Sequence, residues 1–155
     1  MKLIVMSDSH GYHERIFEVM QAHPDADAYL HCGDIELEDG IIPNLITVLG
    51  NNDLFYDYPS ERILTLNGHR IFMTHGHRFS YVNRLEDLAK FAIQQDCDVV
   101  LYGHTHVAAH DICNGIHLIN PGSLYRSRDG RGPSYAIVTL DQGIDVEFVF
   151  RDKRN

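Results

Sequence analysis

A chain of 155 residues, 44% hydrophobic and 23% charged, is long enough to bury a substantial core, and a single domain over residues 1–155 is expected. Its formal charge of −9, from 13 basic and 22 acidic residues, argues against a general affinity for nucleic acid, which feeds on Lys and Arg. No apolar run is long enough for a signal peptide or a bilayer span, so a cytoplasmic location without a membrane partner is expected.

Residues 2–6 read as a buried strand with a loop at 7–11. Ile16, Phe17, Val19 and Met20 fall at helical spacing before Pro24, which predicts a helix over 12–23. Strands near 28–32 and 45–49 follow, so the first third alternates strand and helix, the pattern of a parallel sheet with crossovers. Strands at 61–66 and 70–74 flank Asn67-Gly68, a hairpin signal. Leu85, Leu88, Ala89, Ala92 and Ile93 form one stripe of a helix over 81–95, and a strand at 98–102 runs into Gly103. Two more hairpins, 108–113 with 116–119 and 134–140 with 144–150, make the second half mostly antiparallel by expectation. An α/β fold of two mixed sheets packed face to face, with helices outside, accommodates this order.

Five of the apolar runs end in metal-binding side chains: Asp8 and His10; Gly33-Asp34; Gly50-Asn51-Asn52-Asp53; His75; and Gly103-His104-Thr105-His106. Strands that all deliver ligands to their carboxyl ends build a site along one sheet edge. Carboxylate, imidazole and amide oxygen together suit a divalent transition metal better than calcium or a thiolate zinc site. Residues two apart in an extended segment project to one side, so Asp8 with His10, and His104 with His106, can converge. Read one at a time, each cluster has an ordinary explanation: a helix entry for Asp8-Ser9-His10, turns for the Gly-Asp and Gly-Asn segments. The series is what outweighs them. Cys32, Cys97 and Cys113, odd in number and widely spaced, read as reduced core thiols, with Cys32 near enough in sequence to Asp34 to approach the site.

The order Asp-x-His, Gly-Asp, Gly-Asn, His, Gly-His-x-His resembles the calcineurin-like metallophosphoesterase superfamily, from Met1 to about Ser123. Within it the chain is most similar to the small single-domain bacterial and archaeal phosphodiesterases, relatives of the retromer scaffold subunit, a subgroup in which Asn120-Pro121-Gly122-Ser123 is also typical. The resemblance implies a four-layer α/β/β/α fold and two divalent ions, Mn2+ expected with Fe, Ni and Zn left open. Asp8, His10, Asp34 and His106 would hold one ion, and Asp34 as bridge with Asn51, His75 and His104 the other. It places Asp34, Asn51, Asn52 and His75 at the reaction centre, where a bridging hydroxide attacks phosphorus directly.

Asn52 departs from the wider superfamily, where His commonly follows the Gly-Asn and protonates the leaving oxygen. Asn cannot do so, which points to a small phosphodiester substrate with a good leaving group. His77 is the candidate substitute, although a role behind the ligands or facing solvent is favoured for it. Arg126, Arg128 and Arg131 could hold a second phosphate, and Tyr12, Phe55 and Tyr56 could stack on a ring; a solvated loop and rim packing explain them as well. A non-catalytic scaffold on the same fold and a nuclease are the alternatives. No stable nucleic-acid complex is expected, and homo-oligomerisation is left open.

Overall fold

The computed structural model describes residues 1–151. Its elements are β1 (Lys2–Met6), α1 (His13–Ala22), β2 (Ala28–His31), β3 (Leu45–Thr47), β4 (Glu61–Leu66), β5 (His69–Thr74), α2 (Arg84–Gln94), β6 (Val99–Leu101), β7 (Ala109–Cys113), β8 (Ile116–Asn120), β9 (Ser134–Leu140) and β10 (Ile144–Phe150). They form two five-stranded sheets, ordered β10-β9-β1-β2-β3 and β4-β5-β6-β8-β7.

Strand alternation builds the layers. Leu3 and Val5 of β1 enter a core with Ile71, Met73, Val99 and Leu101 of the second sheet. Ile4 and Met6, on the other face of the same strand, pack against Ile16 and Val19 of α1. On the far side, Phe72 and Val100 meet Leu88, Ala89 and Ala92 of α2. Because both faces are covered, β1, β5 and β6 are continuous apolar runs rather than alternating ones. The chain thus has the expected α/β/β/α layering.

β1, β2 and β3 pair in parallel, as the first third predicts. The second sheet is less antiparallel than expected: β6 runs parallel to both neighbours, β5 and β8. Each reaches β6 through a crossover, α2 on one side and β7 on the other, which local hairpin signals do not reveal. At the Asn67-Gly68 and Asn114-Gly115 turns both residues are left-handed, as a two-residue hairpin connection requires. The predicted second helix begins late, at Arg84 rather than Tyr81. Tyr81 and Val82 continue its apolar content but stand in solvent, and Asn83 occupies the N-cap. The carboxyl ends of β1, β2, β3, β5, β6 and β8 lie along one edge, and the loops leaving them carry all the candidate site residues.

Candidate metal centre

Asp8, at the end of β1, is the hub. Its Oδ1 lies 3.1 Å from His106 Nε2, 3.8 Å from His75 Nε2 and 3.9 Å from His10 Nε2. Its Oδ2 accepts hydrogen bonds from Ser7 Oγ at 2.5 Å and from the His104 N–H at 3.0 Å. Asp34, after β2, places Oδ2 3.3 Å from His75 Nε2. Asn51 Oδ1 sits 2.9 Å from His75 Nε2 and 3.1 Å from His104 Nδ1. The structure therefore brings together all seven residues expected to hold metal: Asp8, His10, Asp34, Asn51, His75, His104 and His106. Two trios, Asp8-His10-His106 and Asp8-Asp34-His75, have donor atoms within 4.8 Å of one another. Asp8, not Asp34, is the member they share.

The tautomers carry the chemical information. His75 Nδ1 lies 2.7 Å from the Cys32 carbonyl, His106 Nδ1 2.9 Å from the Arg126 carbonyl, and His10 Nδ1 3.3 Å from Glu36 Oε2. An acceptor at Nδ1 requires the proton there, so each neutral ring turns a bare Nε2 lone pair into the cluster. In the neutral rings those lone pairs face carboxylate and amide oxygens, an arrangement that a shared cation or a ring proton relieves. Asp8 Oδ1 is correspondingly buried with no hydrogen-bond donor. Imidazoles oriented by a carbonyl or carboxylate behind them are what divalent metal sites use. The donor set fits a divalent ion.

Charge balance agrees. Burial would raise the Asp8 carboxyl, but the His106 contact, the charges of His75 and His106 and the Ser7 bond hold it below its ordinary value. Asp34 is held well down in the same way, against burial, by His75 and by the backbone and side-chain amides of Asn52. Burial opposes a proton on His75, yet Asp34 and Asp8 outweigh it and raise that ring's pKa. A cation placed here would do the same electrostatic work as that proton. His104 is pushed down to about 4 by burial and by the positive charges of His75 and Arg84, so it stands as a free base.

The backbone shows how the ligands converge. Asp8, His10, Asp34, His104 and His106 all have positive φ, between 47° and 70°. The extended geometry predicted for Asp8-Ser9-His10 and His104-Thr105-His106 is thus incorrect. Left-handed residues turn the side chains inward instead, a strain of about 1–3 kcal/mol each that functional sites tolerate. Two glycines make room: a Cβ on Gly50 would overlap the Asp34 carboxylate, and one on Gly103 would overlap Ser7 Oγ.

Several residues support the ligands without belonging to the ligand set, and their partners have no sequence signal. Asp53 accepts from the N–H groups of Asp34, Glu36 and Gly50, fixing the β2 and β3 loops together. Asn120 Nδ2 donates to the Gly103 carbonyl and Thr105 Oγ1, and Ser123 Oγ donates to the Asp8 carbonyl, so the Asn120–Ser123 segment braces the β1 and β6 loops. Glu36 orients His10, and buried His31 donates from Nε2 to Ser9 Oγ at 2.9 Å. The Asn52 side chain donates to Asp34 Oδ2 and its N–H to Oδ1, so it steadies that carboxylate.

The remaining candidates divide. Cys32 is a core filler whose carbonyl, not its thiol, meets the site; Cys97 is buried and Cys113 half-buried, and all three are free. His77 is half-buried, with its ring 6.2 Å from that of His104. Arg131 pairs with Asp129 and lies over Phe150, Arg126 lies over Tyr125, and Arg128 reaches the His104 carbonyl at 3.4 Å. Tyr12 stacks on Tyr125 beside His10, Tyr56 packs on the α1-side core, and Phe55 is almost fully exposed.

Residues 1–143 match the profile of the calcineurin-like phosphoesterase superfamily domain. The chain belongs to this superfamily. Among its relatives, the probable metallophosphoesterase YsnB of Bacillus subtilis is 35% identical, over 91% of this chain and 85% of that protein. The phosphodiesterase YfcE of Escherichia coli is 30% identical, over 91% of this chain and 89% of that protein. A crystal structure of a predicted phosphoesterase from Streptococcus pneumoniae superimposes with a TM-score of 0.88 at 34% identity, covering 96% of this chain and 88% of that one. A hydrolase of phosphate esters, with a cluster able to hold divalent metal, follows from this membership and geometry.

Proposed function

We propose that this phosphoesterase is a binuclear, Mn2+-dependent phosphodiesterase acting on small diesters in the cytoplasm. The observation that carries the reading is the set of three imidazoles, His10, His75 and His106, whose Nε2 atoms converge on the carboxylates of Asp8 and Asp34. Asp8, His10 and His106 would hold one ion, Asn51, His75 and His104 the other, with Asp34 reaching both. Two bound divalent ions supply an activated water for direct attack on phosphorus and positive charge for the phosphate oxygens.

The protein's own residues do the rest. Asn52 and Asp53 hold the Asp34 loop in place, and the carbonyls of Cys32 and Arg126 keep two rings aimed. Asn52 carries no proton it can give to a leaving alkoxide, so the reading favours diesters with stable leaving groups. Membership with YfcE, a phosphodiesterase, supports the same substrate class. The described residues include no helix long and apolar enough to cross a membrane, in keeping with a cytoplasmic place of action.

The test is a screen of chelator-stripped protein, with Mn2+, Fe2+, Ni2+ or Zn2+ restored, on bis(p-nitrophenyl) phosphate, p-nitrophenyl phosphate, cyclic nucleotides and a single-stranded oligonucleotide. Metal-dependent cleavage of the first above the others is expected. Two equivalents of metal should accompany it. Metal-independent cleavage, or none on any diester, would refute the proposal, and preferential cutting of the oligonucleotide would establish a nuclease instead.

A further inference from the structure

Beside the metal centre, the segment from Tyr81 to Glu86 and the stretch from Tyr102 to Asp111 enclose a cleft of about 450 Å³. It adjoins the centre directly, because Thr105, between His104 and His106, forms part of its lining. Leu85, Val107 and Ala109 give it an apolar body. Tyr81 and Val82 also line it, and both stand more than four-fifths exposed, at 87% and 83%. Two large apolar side chains left so bare beside a cavity mark a contact surface and not a core.

Arg84 supplies the second observation. Its Nε is buried without a hydrogen-bond partner, and its guanidinium forms no ion pair among the described residues, although the carboxylates of Glu86 and Asp111 share the cleft lining. A buried donor on a cation costs stability unless something accepts from it. Neither carboxylate has been placed to do so. Clefts of roughly 300–1,000 Å³ with a few polar groups are ordinary for small organic ligands.

We propose that this cleft receives the ester arm retained on phosphorus, and that it selects an arm with a flat apolar body ending in one anionic group, carboxylate or phosphate, which pairs with Arg84. Glu86 and Asp111 set an upper limit on that charge, since a polyanionic arm would meet both. The proposal rests on the phosphodiesterase reading of the neighbouring centre and adds the chemistry of the substrate's second half.

Methyl, benzyl and 4-carboxybenzyl p-nitrophenyl phosphodiesters share one leaving group and differ only in the retained arm. With Mn2+ restored, kcat/KM should rise in that order, by roughly tenfold from benzyl to carboxybenzyl, the scale of one hydrogen bond to a charged group. In Arg84→Gln the carboxybenzyl-to-benzyl ratio should fall to near one, and Arg84→Lys should keep part of it. Tyr81→Ala, which removes an exposed side chain and so leaves folding intact, should lower the benzyl-to-methyl ratio. Equal rates on the three esters, or an unchanged carboxybenzyl preference in Arg84→Gln, would overturn the cleft assignment while leaving the diesterase reading in place. Failure to cleave even the methyl ester would overturn both.

Discussion

His31 offers the sharpest quantitative check on the site's construction. It is completely buried, its Nδ1 accepts the Gly33 N–H at 3.2 Å, and its Nε2–H donates to Ser9 Oγ. Burial, reinforced by the positive charges of His75 and His10 and only partly offset by Asp8 and Asp34, pushes its pKa down to about 3. An unfolded histidine takes a proton near 6.5, whereas this one stays neutral until about 3. The unfolded state therefore binds more protons throughout that window, and stability falls as the pH drops through it. Between pH 7 and pH 5 the loss amounts to about 2 kcal/mol, or about 4–8 °C in Tm for a chain of this size. Replacing His31 with Gln keeps a donor and an acceptor but removes the titration. Urea or thermal unfolding at both pH values, with chelator present because metal affinity itself varies with pH, should show wild type losing about 2 kcal/mol more than the variant. Asp8 and Asp34 have lowered pKa values and titrate below this window. His75, with a raised pKa, acts in the opposite direction, its contribution full below 6.5 and lost as pH rises through its folded value. Both proteins share those terms. Parallel pH dependences would refute the reasoning.

Asp8→Asn should abolish binding of the metal equivalent held with His10 and His106 and weaken the second, whose donor trio Asp8 also touches, and Asp34→Asn should cost about 100-fold or more in activity; an Asp34→Asn protein with two metals and normal turnover would exclude the bridging role. His106→Ala should remove most activity while leaving the chelator-treated protein within about 1 kcal/mol of wild type, as its ring lies outside the apolar core; a large loss of Tm would mark a structural residue instead. Asn52→His should raise monoesterase relative to diesterase activity, provided the imidazole reaches the leaving oxygen, and a wild-type preference for alkyl monoesters would defeat that argument. Gly50→Ala should displace the Asp34 carboxylate and lower stability by about 1–3 kcal/mol, with metal binding reduced by titration calorimetry.

The edge-clustered site is legible in the sequence because parallel strands are unbroken apolar runs, so the polar residues that end them stand out. Asp8, Asp34, Asn51, His75 and His106 all follow that rule. What orients them is not legible. The acceptors behind His75 and His106 are backbone carbonyls of Cys32 and Arg126, and a carbonyl belongs to every residue alike. Asp53 reads as a turn residue, and only its three amide partners reveal it as the clamp between two loops. The left-handed conformation of the ligands is hidden for another reason: Asp and His reach positive φ more readily than most residues, but what fixes them there includes backbone bonds to other loops, as from Asp8 to Gly33 and from His10 to Asp34, which no local pattern shows. The position of β6 between two parallel partners likewise depends on crossovers longer than any local pattern.

The five left-handed ligand residues also set a direction for drift. Each position would rest more easily as glycine, so the residues that define the chemistry are the ones the fold would be quickest to discard. A descendant released from hydrolysis could exchange them one after another, becoming firmer as it became inert, while the layered core beneath stayed as it is. Purification without metal would then give a misleadingly robust product from such a descendant. Its thermal stability would say nothing about whether it had ever cleaved an ester.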